Sequence, residues 1–207
     1  AQAMCELVEP ADVVVDLAAA PGGKTRTLLA TGRARRVVAL ERNPTRARRL
    51  AAGLRAAGRA GEVLVVRADS ARPPLPSGAF RSVLLDAPCS GTGTLRKNPE
   101  IRWRLLPADL PRFAAAQRAL LAAALDLCAP GGSVVYVTCS LEPEENEEVV
   151  AAVLAERGGA SVERPDPSRL PLPLGRALRP DGALRVAPGA SNDGFTATVL
   201  RRGGGSR

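Results

Sequence analysis

The sequence predicts an α/β fold in which helices cover both faces of a doubly wound, mostly parallel β-sheet. Short apolar runs rich in β-branched residues alternate with helix-like stretches, and each run is apolar almost throughout. Continuous apolar character is typical of strands in parallel sheets that are covered on both faces. Strand–helix–strand alternation requires right-handed crossover connections, and these build a doubly wound sheet.

The apolar runs predict five strands, and the stretches beside them predict four helices. The strands are expected at residues 12–17, 36–41, 62–67, 80–86 and 133–138. The helices are expected at residues 25–31, 45–57, 108–128 and 143–157. Pro143 suits the first turn of the last helix. The pair Gly131-Gly132 is expected to stop the third helix before the next strand begins.

The last fifty residues differ in composition from the rest. Residues 158–192 are rich in Pro and Gly and lack clear periodicity, which predicts an irregular excursion with a short strand at 161–163. A final strand is expected at 194–200, and residues 203–207 are expected to form a disordered tail. The 207 residues fit one domain, which we expect to comprise residues 1–202.

Composition restricts both the location and the chemistry. No apolar run approaches the ~20 residues of a membrane-spanning helix, and the first residues lack the basic and apolar segments of a secretory signal. The sequence has no histidine, which excludes Ser-His-Asp catalysis, Cys-His catalysis and a His-bearing zinc site within the chain. No C-x-x-C pair occurs among the four cysteines, which are expected to be reduced thiols. We therefore expect a cytoplasmic monomer that uses neither a metal nor a membrane.

The net charge of +8 has two explanations that the sequence leaves open. A basic surface suits a polyanionic partner such as RNA, because phosphates are contacted mostly by cationic side chains. However, 27 of the 29 basic residues are Arg, which indicates a coding bias. Only Lys24 and Lys97 are lysines. Lys24 is therefore informative, since a compact ammonium can reach a base or a neighbouring carboxylate where a planar guanidinium would not fit equivalently.

Polar, Gly-rich and nucleophilic residues follow the predicted strands. Ligands of doubly wound sheets bind beyond the carboxyl ends of the strands, near the switch in strand order. AAAPGGKT at 18–25 follows the first strand, the second strand ends at Glu41, and the third leads to Asp69. The fourth strand leads into DAPCSGTG at 86–93, and the fifth leads into Thr-Cys-Ser at 138–140. We therefore expect the functional site at this edge of the sheet.

The loop at 18–25 has three competing interpretations. Its GGKT resembles a phosphate-binding P-loop, with SVLLD at 82–86 as the metal-binding strand, but the P-loop pattern needs Gly where Ala18 stands. A nicotinamide-binding loop needs G-x-G-x-x-G, which this loop lacks. A site for S-adenosyl-L-methionine (SAM) needs an acid after the second strand, where Glu41 lies. These residues favour SAM and leave a purely structural Gly turn open.

Two cysteine motifs resemble those of a known family. DAPCSGTG at 86–93, together with Thr-Cys-Ser at 138–140, resembles the RNA cytosine-5 methyltransferases of the Nop/Sun family. DAPCSGTGTLRKNPEIRWR at 86–104 is most similar to RsmB-type bacterial enzymes that act on small-subunit (16S) rRNA. DLAAAPGGKT at 16–25 and DGFTATVLR at 193–201 match in kind and order, although Ala18 replaces a frequent Cys and Thr196 replaces a usual aromatic. RsmB-type proteins carry an RNA-binding domain before the catalytic one, so a fragment or a minimal form is expected.

The resemblance implies a Rossmann-like class I SAM-dependent methyltransferase domain with an antiparallel C-terminal strand. Carbon 5 of cytosine is too weak a nucleophile to attack a methyl sulfonium, and a thiolate that adds at carbon 6 activates it. By resemblance, Cys139 is this nucleophile and Cys89 assists product release. Asp86 is expected at the N3/N4 edge of the cytosine, protonated if it donates to N3 and ionised if it accepts from N4. Lys24 is expected to reach the base or a carboxylate.

The resemblance also implies which residues bind SAM. Asp16 is expected to support the first loop, Glu41 to bind the ribose, and Asp69 to lie by the adenine. Asp86 is expected near the methyl group. The expected loop residues around the cofactor are Ala18, Ala19, Ala20, Pro21, Gly22, Gly23 and Lys24.

RNA is the expected partner, with rRNA preferred and tRNA as an alternative. Four basic residues flank the Asp86 loop and suit either a phosphate-binding rim or an ordinary charged surface, namely Arg96, Lys97, Arg102 and Arg104. Trp103 is expected to pack beneath them rather than to stack on a base.

The remaining conspicuous residues are expected to be structural. Cys5 and Cys128 are expected in the core, where free Cys is commonly found. The acidic run at 142–148 is expected to be a solvated helix start whose charge opposes a thiolate at Cys139. Two rival functions remain at this point. One is a nucleotide-triphosphate-binding protein that uses GGKT and Asp86, and the other is an RNA-binding module that has lost activity.

Overall fold

The structure, a computed structural model, describes residues 2–170, 172–190 and 192–204, and it contains one eight-stranded sheet with helices on both faces. The strands are β1 (Ala11–Asp16), β2 (Ala34–Leu40), β3 (Val63–Val66), β4 (Phe80–Asp86), β5 (Cys128–Thr138), β6 (Ala160–Glu163), β7 (Leu184–Val186) and β8 (Phe195–Arg202). The helices are α1 (Gln2–Cys5), α2 (Gly23–Ala30), α3 (Pro44–Ala56), α4 (Ile101–Arg104), α5 (Leu110–Leu127), α6 (Glu147–Arg157) and α7 (Leu172–Gly175). Short 3₁₀ turns lie at Ala60–Glu62, Thr92–Thr94, Pro107–Asp109, Pro143–Glu145 and Pro167–Arg169.

The strand order is β3-β2-β1-β4-β5-β8-β6, and β7 pairs with the start of β8. The strands β1 to β5 pair in parallel. In contrast, β8 is antiparallel to its three neighbours β5, β6 and β7. The predicted α/β class, the mostly parallel doubly wound sheet and the antiparallel C-terminal strand are confirmed. The order reverses between β1 and β4, which is where such sheets bind their ligands.

Both faces of the sheet are buried, which explains why the strands are apolar along their length. Successive side chains of a strand point to opposite faces. On β4, Leu84 belongs to the core cluster that includes Leu28 of α2 and Leu50 of α3. Its neighbour Val83 belongs to the second cluster, which includes Leu121 of α5. Two apolar cores, one on each face, therefore hold the helices against the sheet.

The boundary between the third predicted helix and the fifth predicted strand differs from the prediction. The helix α5 ends at Leu127, and β5 already begins at Cys128, so Gly131-Gly132 lies inside the strand and does not stop the helix. The register with β4 shifts between the pairs Phe80↔Cys128 and Ser82↔Ser133. A Cβ on Gly132 would lie 2.6 Å from the Arg81 carbonyl oxygen. The glycines therefore allow an irregular stretch of β5 to approach β4 closely.

The C-terminal third is more ordered than predicted. The predicted helix at 143–157 is divided into a 3₁₀ turn and α6, which begins at Glu147. The excursion at 158–192 contains β7 and α7 besides the strand predicted at 161–163, which lies within β6. In the predicted tail, Gly203 donates a backbone hydrogen bond to the Gly159 carbonyl, and residues 205–207 lie outside the described residues. Within the described ranges, no helix combines the length and the apolar character needed to cross a membrane.

Gly93 joins three segments at the carboxyl edge of the sheet. Its N–H donates to the Cys139 carbonyl over 2.9 Å, and its own carbonyl accepts from the Gly194 N–H over 2.7 Å. A Cβ at this position would lie 2.4 Å from the Gly194 carbonyl oxygen. Only glycine therefore fits where the loops after β4 and β5 meet the segment that enters β8.

Gly93→Ala is expected to lower the free energy of unfolding by roughly 1–3 kcal/mol, because a Cβ would push the contacting backbones apart. Urea unfolding measures the change. Gly53→Ala in α3 is the matched control, since an added Cβ there meets nothing within 4 Å. That variant is expected to gain about 0.5–1 kcal/mol from helix propensity. Equal effects of the two substitutions would contradict the close packing at Gly93.

Candidate active site

Two cysteine sulfurs meet at the carboxyl edge of the sheet. Cys89 lies in the loop after β4, and Cys139 follows directly on β5. The two strands are parallel neighbours, and the Ala87 N–H extends their pairing by donating to the Val137 carbonyl over 2.8 Å. The Sγ atoms of Cys89 and Cys139 are 3.2 Å apart. Adjacent strand ends therefore bring together two residues that are fifty positions apart in the sequence.

The contact between the sulfurs gives the two thiols different acidities. The hydrogen bond that Cys139 accepts from the Cys89 S–H lowers the pKa of the Cys139 thiol, although burial opposes this shift. The same hydrogen bond raises the pKa of the Cys89 thiol, and burial adds to that increase. Cys139 is therefore the more acidic of the two thiols. Burial raises the pKa of both Cys5 and Cys128 to about 11, as expected for the core thiols that they are.

An ion pair lies beside Cys139. The Lys24 ammonium, in the first turn of α2, is 2.5 Å from Oδ2 of Asp86 at the end of β4. Both side chains are partly exposed, so the pair faces the open end of the sheet. Lys24 acts to lower the pKa of the Cys139 thiol, whereas Asp86 acts to raise it. The structure therefore brings together the four predicted catalytic residues.

Asp16 stabilises the first loop through a buried hydrogen bond. The Thr25 hydroxyl donates to Oδ2 of Asp16 over 2.7 Å, which ties the start of α2 to the end of β1. Burial raises the pKa of the Asp16 carboxyl to about 6, and the hydrogen bond from Thr25 opposes this shift.

A cleft of about 1000 Å³ opens at the switch point, and it contains Cys89 in its lining. Of the predicted cofactor residues, Ala18, Glu41 and Asp69 also line it. Its other walls combine apolar and basic side chains. The apolar ones include Leu17, Leu40, Pro88, Ile101, Leu105, Phe113 and Leu120, and the basic ones are Arg42, Arg46, Arg104 and Arg112. A concave site with apolar walls and polar groups is typical of small-molecule binding.

The two acids of the cleft that the sequence predicted, Glu41 and Asp69, each accept a backbone hydrogen bond. Glu41 accepts the Asn43 N–H over 2.8 Å, and its second oxygen lies 3.3 Å from Nε of Arg46. Asp69 accepts the Ala71 N–H over 3.0 Å. Carboxylates held this way at neighbouring strand ends can accept hydrogen bonds from hydroxyl or amino groups of a nucleoside. The cleft therefore offers acceptors of the kind that a nucleoside needs.

The rest of the first loop turns the chain and does not line the cleft. Ala19 and Ala20 are buried, and the Ala20 carbonyl accepts from Nη2 of Arg46 over 3.1 Å. Gly22 has a φ of 101°, and a Cβ there would lie 2.6 Å from Cδ1 of Leu50. Pro21 is exposed, and Gly23 begins α2.

The four predicted RNA-binding residues fall into two groups. The Lys97 ammonium is 2.5 Å from Oδ2 of Asp193, and Arg96 lies 3.9 Å from the same carboxylate. Arg102 and Arg104 lie on α4, and Arg104 also lines the cleft. The first group is therefore tied to the segment before β8, whereas in the second group Arg104 borders the cleft.

The expectation that Trp103 packs against the protein is wrong, because 79% of its surface is exposed. The helix α4 is a single turn, and Ile101 is its buried residue. An exposed indole at this place is available to a partner.

The acidic run at 142–148 is not a solvated helix start throughout. Glu145 is 0% exposed and accepts the Ser90 N–H and the Gln117 amide. Its charge raises the pKa of the Cys89 thiol. Nothing in the local sequence distinguishes Glu145 from its acidic neighbours.

Thr196, which stands where the family pattern usually has an aromatic residue, is also buried. Its hydroxyl donates to the Ser140 carbonyl over 3.0 Å.

Cys89→Ala is expected to raise the pKa of the Cys139 thiol, because the donor that stabilises the thiolate is lost. Alkylation of Cys139 by iodoacetamide, followed against pH by peptide mass spectrometry, should then have a midpoint on the order of one pH unit higher. Cys89→Ser keeps a hydroxyl donor and should move the midpoint less. The midpoint is read instead of the rate at one pH, because a smaller side chain also changes access. An unmoved midpoint in Cys89→Ala would contradict the S–H···S hydrogen bond.

The geometry does not favour a triphosphate at the GGKT loop. The Lys24 ammonium is paired with Asp86, and the loop has Ala18 where a phosphate-wrapping loop needs glycine. In the part of the chain that the structure describes, no group of three or more His, Cys, Asp or Glu side chains is arranged to hold a metal ion.

Comparison with known proteins identifies relatives across almost the whole chain. The ribosomal RNA small subunit methyltransferase B of Thermus thermophilus is 41% identical over 194 residues, which are 93% of this chain and 46% of that protein. The crystal structure of PH0851 matches with a TM-score of 0.83 and 32% identity over 98% of this chain and 46% of its own. NSun6 from Pyrococcus horikoshii, solved with SFG, matches with a TM-score of 0.74 and 26% identity over 97% of this chain and 50% of its own.

The chain thus spans about half the length of these relatives. Its match to the family described as 16S rRNA methyltransferase RsmB/F extends over residues 4–201. This chain therefore belongs to the RsmB/F family of rRNA methyltransferases.

Proposed function

We propose that this chain is the catalytic domain of an enzyme that transfers a methyl group from SAM to carbon 5 of a cytosine in RNA. The single observation that carries the proposal is the 3.2 Å contact between the sulfurs of Cys89 and Cys139 beside the Lys24–Asp86 ion pair. One thiol has a lowered pKa and the other a raised pKa. This difference suits a reaction in which the first sulfur attacks the base and the second assists the later departure of the first. Methyl transfer to a more nucleophilic atom would need neither thiol.

Cys139 is the nucleophile in this proposal. Its thiolate adds to carbon 6 of the cytosine, and the electrons of the 5,6 double bond make carbon 5 nucleophilic. The hydrogen bond from Cys89 lowers the pKa of the Cys139 thiol and so favours its thiolate before attack. Lys24 lies near enough to favour the thiolate, whereas Asp86 opposes it.

Cys89 assists release of the product. After carbon 5 is methylated, its proton leaves to a base and the bond between carbon 6 and the Cys139 sulfur breaks. The sulfur departs as a thiolate, which needs a hydrogen-bond donor. The Cys89 sulfur is 3.2 Å from that sulfur, and its raised pKa favours the protonated form, so its S–H can stabilise the leaving group.

SAM, when bound, supplies an electrophilic methyl group. The residues that would hold it are Ala18, Glu41 and Asp69, which line the cleft that also contains Cys89. Glu41 would accept from the ribose hydroxyls and Asp69 would lie by the adenine. In the ion pair with Lys24, Asp86 is a carboxylate, so we propose that it accepts from N4 of the cytosine and does not donate to N3.

RNA from the small ribosomal subunit is the proposed substrate, and tRNA is the alternative. The name of the Thermus thermophilus relative supports the former. Arg102, Trp103 and Arg104 offer two cations and an exposed aromatic ring beside the cleft, a combination suited to phosphate contacts and base stacking. Arg96 and Lys97 are paired with Asp193 and contribute less positive charge to RNA.

Cys139→Ser is expected to abolish methyl transfer to RNA while SAM affinity, measured by calorimetry without magnesium, stays within a few-fold. A serine hydroxyl is a far weaker nucleophile than a thiolate at neutral pH. Cys128→Ser is the control for a cysteine in the core. A large loss of SAM binding in Cys139→Ser would count against the proposed role, and binding of ATP-Mg instead of SAM would overturn the function.

Cys89→Ala is expected to accumulate a covalent protein–RNA adduct, because attack by Cys139 continues while departure of its sulfur slows. The adduct should appear as a gel shift that survives denaturant when RNA and SAM are both present. The double variant Cys89→Ala/Cys139→Ser should show none. If Cys89→Ala releases methylated RNA as fast as the unchanged protein, the release role is wrong.

A further inference from the structure

Two adjacent buried residues, Glu145 and Asn146, contact the two cysteine loops separately. Glu145 ends the 3₁₀ turn at Pro143–Glu145 and Asn146 directly precedes α6, and their exposed fractions are 0% and 2%. Neither belongs to the catalytic residues proposed above.

Glu145 holds the Cys89 loop through the next residue. Its Oε1 accepts the Ser90 backbone N–H over 2.9 Å, and its Oε2 accepts the Ser90 hydroxyl. Oε1 also accepts the Gln117 amide over 2.8 Å, and that same amide donates to the Pro88 carbonyl over 2.9 Å. Hydrogen bonds therefore fix the residues on both sides of Cys89.

Asn146 holds the Cys139 loop in the same way. Its Oδ1 accepts the Thr138 hydroxyl over 2.6 Å, and its Nδ2 donates to the carbonyls of Ser140 over 3.2 Å and Glu142 over 2.7 Å. An Asn at the start of a helix commonly caps it, but this side chain makes no capping hydrogen bond. Its polar atoms instead form hydrogen bonds with Thr138 and Ser140, the residues before and after Cys139.

Further contacts restrict how far the two loops can separate. The Tyr136 hydroxyl on β5 donates to the Glu145 carbonyl over 2.6 Å, which anchors the pair to the sheet. The hydroxyls of Ser90 and Ser140, next to the two cysteines, are 3.2 Å apart. Because consecutive residues hold the two loops, a single peptide unit links them.

We propose that Glu145 and Asn146 are positioning residues that set the contact between the sulfurs of Cys89 and Cys139, Glu145 through the Cys89 loop and Asn146 through the Cys139 loop. The catalytic meaning of this contact rests on the proposed function, but the geometric claim does not. Both residues act through other groups and touch neither sulfur in the described hydrogen bonds.

The two residues differ in the hydrogen bonds that they need. Glu145 only accepts, so Glu145→Gln retains an oxygen for the Ser90 N–H and the Gln117 amide, and the Ser90 hydroxyl can rotate. Asn146 both accepts and donates. Asn146→Asp keeps the acceptor for Thr138 but places an oxygen against the carbonyls of Ser140 and Glu142.

The test measures the pH midpoint of Cys139 alkylation in the full chain, which needs no RNA and no SAM. The largest charged and titratable influences on Cys139 are Cys89, Asp86 and Lys24, and these groups stay unchanged in the Glu145 and Asn146 variants. Glu145→Ala and Glu145→Gln remove the same negative charge, so the comparison of these two variants cancels its direct effect on the midpoint. Glu145→Ala and Asn146→Asp are expected to raise the midpoint on the order of one pH unit, as loss of the sulfur contact does. Glu145→Gln should move it by much less. Glu148→Gln, at an exposed position of the same acidic run, is the control and should not move it.

The same substitutions are then made in Cys89→Ala, where the sulfur contact is already absent. If Glu145 and Asn146 act by positioning, the substitutions should not move the alkylation midpoint further in this background. If the carboxylate that Asn146→Asp introduces acts by its charge, its effect on the midpoint would persist. A full shift in this background, or an unmoved midpoint in folded Glu145→Ala and Asn146→Asp, overturns the proposal. If Glu145→Ala does not fold, the test compares the alkylation midpoints of the near-isosteric variants Glu145→Gln and Asn146→Asp. Equal midpoints in these two variants would then overturn the proposal. Failure of the unchanged protein to methylate RNA would overturn the proposed function and leave the alkylation result standing.

Discussion

The candidate site depends on a hydrogen bond between two sulfur atoms carried by neighbouring parallel strands. The register of β4 and β5 places Asp86 opposite Val137, so the loops that follow start side by side. A 3.2 Å contact then requires the loop backbones to be held closely, and Gly93 permits this because no side chain stands between Cys139 and Gly194. The buried bonds of Glu145 and Asn146 act on the same two loops. The sheet therefore supplies the approximate proximity, and the loop contacts supply the final distance.

Charge is distributed around this contact so that the two thiols differ. The negative charge of Glu145 reaches Cys89 and helps to keep its proton in place. The Lys24 ammonium favours the thiolate of Cys139, and the paired Asp86 partly offsets that effect. Because the sulfurs share one hydrogen bond, a change at either loop alters the acidity of both. Acidity and geometry are thus coupled at one place in the molecule.

The sequence predicted the fold and the set of residues at the site better than it predicted their surroundings. Apolar runs predicted the parallel strands because both faces of the sheet are buried, and the loops after those strands necessarily share one edge. Local patterns failed where a distant segment decided the outcome. Gly131-Gly132 resembled a helix stop but accommodates β4, Trp103 resembled a packing residue but lies on a one-turn helix, and Glu145 resembled its solvated neighbours.

By itself, the sequence determined the strand–helix alternation, the motifs at the strand ends and membership of a family, because periodicity and motif order are properties of the chain. Only the tertiary structure decided which lysine faces which carboxylate, which glutamate is buried, and which cysteine is the more acidic. These properties depend on distances of a few ångströms between residues far apart in the chain, such as Lys24 and Asp86 or Ser90 and Glu145. Such distances arise from packing, and no local pattern encodes them.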